Sequence, residues 1–236
     1  FGASAALTRS MPLPFAVPSE LGLVRGSGLD ERSLRQPSQH RLVIPDARIV
    51  TGPVPAQSGD VLRGVRVVAP ALSALSAAAG LTSGRWRTAL FDAALWQGAT
   101  IDELAGLIDQ WRHLGGRDHL LVSLAHARVG AQTVLETFSR LALIDQGLPE
   151  PILQHPFHDS EGLIGYVDMW WPELNVIGEA DGAVKYESKA DLLKEKRRED
   201  RLRARGPAVV RWDLRMIKEA PDVVADRIRK ASRWAA

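Results

Sequence analysis

The sequence predicts an α+β protein, with a mainly helical N-terminal region followed by a domain in the order αβββαβα. Three features of the 236 residues lead there. Between residues 71 and 128 apolar side chains recur at three- and four-residue spacing, the period of helices that bury one face. Between 152 and 180 the pattern changes to short runs of strand length separated by turn residues. After Gly182 a charged segment, a Val-rich run and a Pro-opened segment supply a helix, a strand and a helix.

The elements follow in order. Residues 1–40 are rich in Pro, Gly, Ser and Arg with poor periodicity, which reads as an irregular arm or the remnant of a small module. Two strand-like runs come next, Arg41 to Pro45 and Val61 to Val68, the second ended by Ala69-Pro70. Helices are expected over Ala71 to Ala79, Trp86 to Trp96, Ile101 to Leu114 and Asp118 to Arg128. The capping box Thr100-Ile101-Asp102-Glu103 opens the third. A boundary near 128–130 separates this helical domain, 41–129, from the C-terminal domain, 130–236. In the latter, Ala131 to Gln146 reads as a helix with Val134, Phe138 and Leu141 on one face and Gly147 as its C-cap. Strands are expected at Ile152 to Phe157, Leu163 to Met169 and Leu174 to Ala180. Asp159-Ser160-Glu161-Gly162 and Trp170-Trp171-Pro172-Glu173 form the turns between them. A helix from Ser188 to Arg205 stops at Gly206-Pro207, strand Ala208 to Trp212 follows, and Pro221 opens the last helix.

Composition excludes several classes. With 45% hydrophobic and 25% charged residues the chain resembles an ordinary globular protein, and 20 Gly plus 14 Pro fall short of collagen or low-complexity disorder. The absence of cysteine removes disulfides, thiolate zinc sites and a cysteine nucleophile. No run of 18 apolar residues occurs, and the opening FGASAALTRSMPLPFAVP has neither a basic n-region nor a continuous h-region. Neither a membrane span nor a signal peptide is therefore expected, and a cytoplasmic location is the default. The formal net charge of +2 conceals an asymmetry: residues 183–236 hold 16 Lys and Arg against 9 Asp and Glu, and the rest of the chain holds 14 against 19. A basic C-terminal quarter suggests a polyanionic partner.

The acids of the second half could carry chemistry. Strand alternation puts Tyr166 and Asp168 on one face, and Glu179 and Asp181 together on one face of the next strand. If the Trp-Trp-Pro-Glu turn closes an antiparallel hairpin, Asp168 and Glu179 are expected to stand a hairpin's length apart. A stagger, or the twist of the sheet, would instead bring them to one margin, and both arrangements stay open here. Glu136 lies on the preceding helix with Arg140 one turn on, an i,i+4 pair. Four carboxylates at one sheet edge would repel unless cations neutralised them, and hard oxygen ligands favour Mg²⁺ or Mn²⁺. Phosphodiester hydrolysis is the chemistry that uses such a cluster. His155 and His158, with no third ligand nearby, read as ordinary strand-end histidines.

The run Gly165-Tyr166-Val167-Asp168-Met169-Trp170-Trp171-Pro172-Glu173, followed by Gly178-Glu179-Ala180-Asp181-Gly182, resembles the PD-(D/E)XK nuclease superfamily. More narrowly, it is similar to the branch related to the very-short-patch mismatch repair endonuclease. Leu135-Glu136-Thr137-Phe138-Ser139-Arg140, Arg198-Glu199-Asp200-Arg201-Leu202 and Val209-Val210-Arg211 match further pieces of that pattern, so the resemblance spans about 130 to 236. The N-terminal half is similar, more weakly, to proteins grouped with the AbiEi antitoxin family, through Gly64-Val65-Arg66-Val67-Val68-Ala69-Pro70-Ala71-Leu72.

What the resemblance implies is a mixed central sheet and a divalent-metal-dependent DNA endonuclease. Asp168 and Glu179 would hold Mg²⁺ or Mn²⁺, Asp181 would assist as ligand or water-orienting acid, and Glu136 would complete the shell. Asp181 stands where the superfamily usually has lysine, and Lys185 where the branch often has histidine, so charge stabilisation would fall to Lys185. Arg197, Arg198, Arg201 and Arg211 would contact DNA. Two alternatives belong to other classes: a catalytically inactive DNA-binding regulator of the antitoxin type, and an interaction module of a mobile-element or phage-defence system with a protein partner or a homo-oligomeric state.

Overall fold

Small residues decide how closely the first helices approach. The computed structural model describes residues 1–14, 21–26, 47–52, 59–62, 64–111, 115–181 and 189–234. The chain divides into two units, Phe1–Val129 and Gly130–Ala236.

In the first unit α1 (Gly2–Thr8) is followed by two parallel strands, β1 (Leu21–Gly26) and β2 (Ala47–Gly52), and by the antiparallel pair β3 (Asp60–Leu62) and β4 (Val65–Val67). Four helices complete it: α2 (Pro70–Ala78), α3 (Gly84–Trp96), α4 (Ile101–Gln110) and α5 (Arg117–Ala125). Helix α2 is the central post. Ala71 through Ala78 are all buried, and Leu72, Leu75, Leu90, Phe91, Leu104, Ile108 and Trp111 form the core around it. Its serines survive burial because Ser73 Oγ donates to Val68 O at 2.9 Å and Ser76 Oγ to Leu72 O at 2.7 Å.

Two expectations need correcting in this unit. The start of the chain is not an irregular arm, since Ala5 and Ala6 of α1 are buried against the core. Arg9, after that helix, is also buried, donating from Nε to Val68 O at 2.8 Å and from Nη2 to Asp60 at 2.6 Å. The single strand expected over Val61 to Val68 is a hairpin, because Gly64 adopts φ +80° and turns the chain between β3 and β4. The run Arg41 to Pro45 lies outside the described residues.

The capping box of α4 forms as its residues dictate: Thr100 Oγ1 accepts from Glu103 N at 3.1 Å. Thr100→Ala removes that acceptor at a site where nothing else changes. It should lower the unfolding free energy by about 1 kcal/mol in urea denaturation; an unchanged midpoint would show that the cap is replaced by water.

The second unit is layered. Helix α6 (Val134–Asp145) precedes β5 (Ile152–Asp159), β6 (Gly162–Trp171) and β7 (Val176–Ala180), and a 3₁₀ turn, Pro172–Leu174, joins the last two. Then come α7 (Lys189–Ala204), β8 (Ala208–Trp212), α8 (Leu214–Glu219) and α9 (Pro221–Trp234). The sheet runs β5-β6-β7-β8, antiparallel except for the parallel β7–β8 pair, and is therefore mixed. Alternation assigns its two faces. Ile177 packs with Leu202 of α7 and with Val209, while Trp212 on the other side donates from its indole to Ser139 Oγ of α6 at 2.7 Å. Gly147 ends α6 at φ +78°, and Leu148 N reaches back to Leu143 O at 3.1 Å, the closure expected of a C-cap glycine. Helix α8 was not legible in the pattern; Asp213 caps it by accepting from Met216 N at 2.8 Å.

Candidate active site

The site begins where the β6–β7 ladder opens. Trp171 pairs with Val176, Trp170 with Ile177 and Met169 with Gly178, and there the pairing stops. Asp168 and Glu179 are the next positions on the two strands, and Asp168 Oδ2 accepts from Ala180 N at 2.8 Å. The hairpin's length does not separate the two acids. They lie equally far from the turn, so antiparallel pairing sets them across from each other at the mouth of the opening.

Glu179 is buried, 6% exposed, and faces α7. Its Oε1 accepts from Arg198 Nη2 at 3.0 Å; the same nitrogen donates to Tyr166 O at 2.7 Å, and Nη1 donates to Glu195 Oε1 at 3.2 Å. Gly165 makes this reach feasible, because a Cβ there would lie 3.0 Å from Arg198 Nε.

Glu136 approaches from the N-terminus of α6. The expected pair with Arg140 is not formed, since Arg140 turns to Glu150, Nη1 to Oε1 at 3.6 Å. Glu136 is instead the acid of a capping box: Thr133 Oγ1 accepts from Glu136 N at 3.2 Å and donates to Glu136 Oε1 at 2.9 Å, while Gln132 N donates to Oε2 at 2.9 Å. The signal was present in Thr133-Val134-Leu135-Glu136. From Glu136 the connection to Asp168 runs through Gln154 of β5, whose Nε2 donates to Glu136 Oε2 at 3.2 Å and to Asp168 Oδ1 at 3.4 Å. No pattern in the sequence singles out Gln154.

The remaining expected residues have other partners or lie outside the described residues, although the charge of Asp181 bears on Asp168 and that of Arg211 on Glu179. Asp181 is engaged by Arg211, whose Nη1 donates to both of its oxygens at 3.1 and 3.3 Å. Arg211 also holds Glu195 at 2.8 Å and Glu199 at 3.3 Å, which fastens α7 to β8. Arg201 forks Asp159 at the tip of the β5–β6 hairpin, both bonds 2.6 Å. Of the four arginines expected to contact DNA, then, Arg198, Arg201 and Arg211 are bound to carboxylates of their own chain, and Arg197 is exposed. Lys185 lies outside the described residues.

Burial dominates the electrostatics. It raises the carboxyls of Glu136 and Asp168 above their usual range, against the opposing pull of Gln132 N–H on the first and Ala180 N–H on the second. Burial likewise pushes Glu179 from the usual 4.5 to about 7, with Arg198 pulling down and Asp168 pushing further up. Because the folded state holds this proton more tightly than the unfolded chain, the contribution of Glu179 is complete below pH 4.5 and is lost as pH rises to about 7. The span amounts to roughly 3 kcal/mol at most. Urea midpoints should therefore fall between pH 5 and 7.5, and Glu179→Gln should flatten that slope; an equal slope in the variant would assign it to other groups. Asp159 acts in a separate window with the opposite sign, since Arg201 holds it at about 2 and its contribution disappears only between about pH 4 and 2.

Among the described residues no three His, Asp or Glu side chains stand together as a ready metal shell. The donor chemistry nevertheless suits a hard cation: Asp168 and Glu179 are half-buried and buried oxygen donors, the charge of Asp168 bears on Glu179, and Arg198 is paired with Glu179. Mg²⁺ commonly takes one or two protein carboxylates, leaving its other positions to water and phosphate, so this pair fits it.

Two uncharacterized proteins of Mycobacterium tuberculosis, from different strains, are each 31% identical to the chain over 100 residues, which is 42% of this chain and 37% of theirs. The chain thus spans little more than a third of the length of these relatives. No protein-family profile matches the chain, and no solved structure matches it.

Proposed function

We propose that the chain is a divalent-metal-dependent DNA endonuclease that hydrolyses phosphodiester bonds at Asp168 and Glu179, on a C-terminal domain related to the PD-(D/E)XK nucleases. One observation carries the reading: two carboxylates face each other where the ladder opens on a mixed sheet clasped between helices. A bound Mg²⁺ or Mn²⁺ would supply charge stabilisation on the phosphate and acidify the attacking water. Asp168 and Glu179 would hold it, Glu136 would add negative potential from the rim, and Lys185 would stabilise phosphate charge. Asp181, turned to Arg211, drops from the ligand set to a place in the salt-bridge network. Since three of the arginines are internally paired, duplex contact falls to Arg197 with its exposed neighbours Lys194 and Lys196.

Purified full chain should nick supercoiled plasmid with Mg²⁺ or Mn²⁺ and stop with EDTA. A specific observation favours a second reading, a DNA-binding regulator that has lost turnover, with the 41–129 region related to AbiEi antitoxins. Arg198 already supplies Glu179 with a positive partner. DNA binding without cleavage of duplex, single-stranded or mismatched substrate under any divalent metal would select it. Cytoplasmic placement belongs to both readings; among the described residues no helix is long and apolar enough to cross a membrane.

A further inference from the structure

We propose that Gln154 is a positioning residue, its side-chain amide holding Asp168 to Glu136 so that Asp168 stays directed into the opening opposite Glu179. The inference rests on the reading of Asp168 and Glu179 as a cation-holding pair, and it assigns the role to a residue outside the acid motif.

Three observations carry it. First, Gln154 sits inside β5 with φ +49°, a left-handed conformation that a side chain with a Cβ adopts at a cost and glycine would not. A glutamine in place of the unstrained glycine points to a use for its side chain. Second, the β5–β6 ladder pairs Leu153 with Met169 and His155 with Val167, so Gln154 and Asp168 stand at the same level on the two strands. Third, Nε2 donates to one oxygen of each acid, Glu136 Oε2 at 3.2 Å and Asp168 Oδ1 at 3.4 Å.

The chemistry of the bridge is selective. A side chain that ties two ionised carboxylates together must offer two donor hydrogens, as the amide NH₂ does, and the amide end is fixed because the carbonyl end would meet two acceptors. A lysine or arginine in this place would neutralise the potential that attracts a cation, and a glutamate would add repulsion. A neutral amide orients both acids and leaves their charge intact. Glu136 is itself anchored by Thr133 and Gln132 N–H at the start of α6, so the bridge ties one oxygen of Asp168 to an anchored helix terminus while Ala180 N–H holds the other.

The test uses the full chain and Mn²⁺ alone, read by the loss of the free-ion electron paramagnetic resonance signal. Gln154→Gly deletes the amide while suiting the positive φ, so its melting temperature should equal or exceed the wild type's. Its Mn²⁺ affinity should fall about tenfold, the usual effect of losing a partner that orients a metal ligand. Gln154→Asn, which keeps a donor and tolerates this backbone conformation but is one methylene short, should lose affinity as well, and serves if the glycine variant does not fold. Wild-type affinity in either folded variant would overturn the positioning role while leaving the cation pair in place. No Mn²⁺ binding by the wild type would overturn both. Weakened Mn²⁺ binding in the variants, with a wild type that cuts no DNA, would support the positioning role and end the nuclease reading.

Discussion

Asp168→Ala should lower plasmid cleavage by about 10³-fold or more while leaving DNA binding equal or tighter. The magnitude follows from what the proposed cation contributes, several kcal/mol of charge stabilisation, converted at about 1.4 kcal/mol per tenfold in rate. Binding should survive because deleting a carboxylate beside a phosphate relieves repulsion. Folding should survive too, since burial disfavours the charged form of Asp168 and its loss removes that penalty. Ala180 N–H and the Gln154 amide would lose their acceptor, so Asp168→Asn is the companion variant, keeping an acceptor and lacking the charge. Both should be inactive. Measured by single-turnover nicking in Mg²⁺ and by titration of labelled duplex, retained cleavage in either variant would remove Asp168 from the site.

Gly178→Ala should produce the largest loss of stability, about 3 kcal/mol, by overpacking. A Cβ at this position would lie 2.5 Å from the Trp212 ring and 2.8 Å from the Trp171 ring, and both indoles are fixed. Trp212 donates to Ser139 Oγ at 2.7 Å and Trp171 to Pro149 O at 2.8 Å, so neither can swing aside without breaking a hydrogen bond that is buried for the first and partly buried for the second. Gly178 also pairs with Met169, one residue from Asp168, and the strain should widen the mouth of the site. Urea unfolding measures the cost. A loss below about 1 kcal/mol would mean that the indoles repack, and Trp212→Phe in the same chain should then recover nothing.

Much of the fold was legible because local rules wrote it. Strand β8 occupies the expected residues, Gly147 closes α6, and Thr100 caps α4. Each depends on residues a few positions apart, where steric and hydrogen-bonding preferences act directly. Helix α1 escaped because seven short residues carry almost no period, and the β3–β4 hairpin because one glycine inside a Val-rich run does not reveal which sign φ takes. The acids were singled out by their pattern, and the structure brings Asp168 and Glu179 to the same level of adjacent strands. Glu136 was given the wrong partner, since i,i+4 spacing to Arg140 was weighed while the capping box three residues upstream was not.

By itself the sequence determined the helical and strand segments, their stops and caps, the sheet-forming αβββαβα order and the excess of cations after Gly182. Only the tertiary structure decided where those cations go. Arg201 spends its charge on Asp159, 42 residues away, Arg211 on Asp181, 30 away, and Arg198 on Glu179, 19 away. Composition counts a charge, but the strength of an ion pair depends on distance and on the surrounding dielectric, and both are set when α7 lands on the sheet. The same holds for Gln154, whose backbone conformation and two acceptors exist only once β5, β6 and α6 have met.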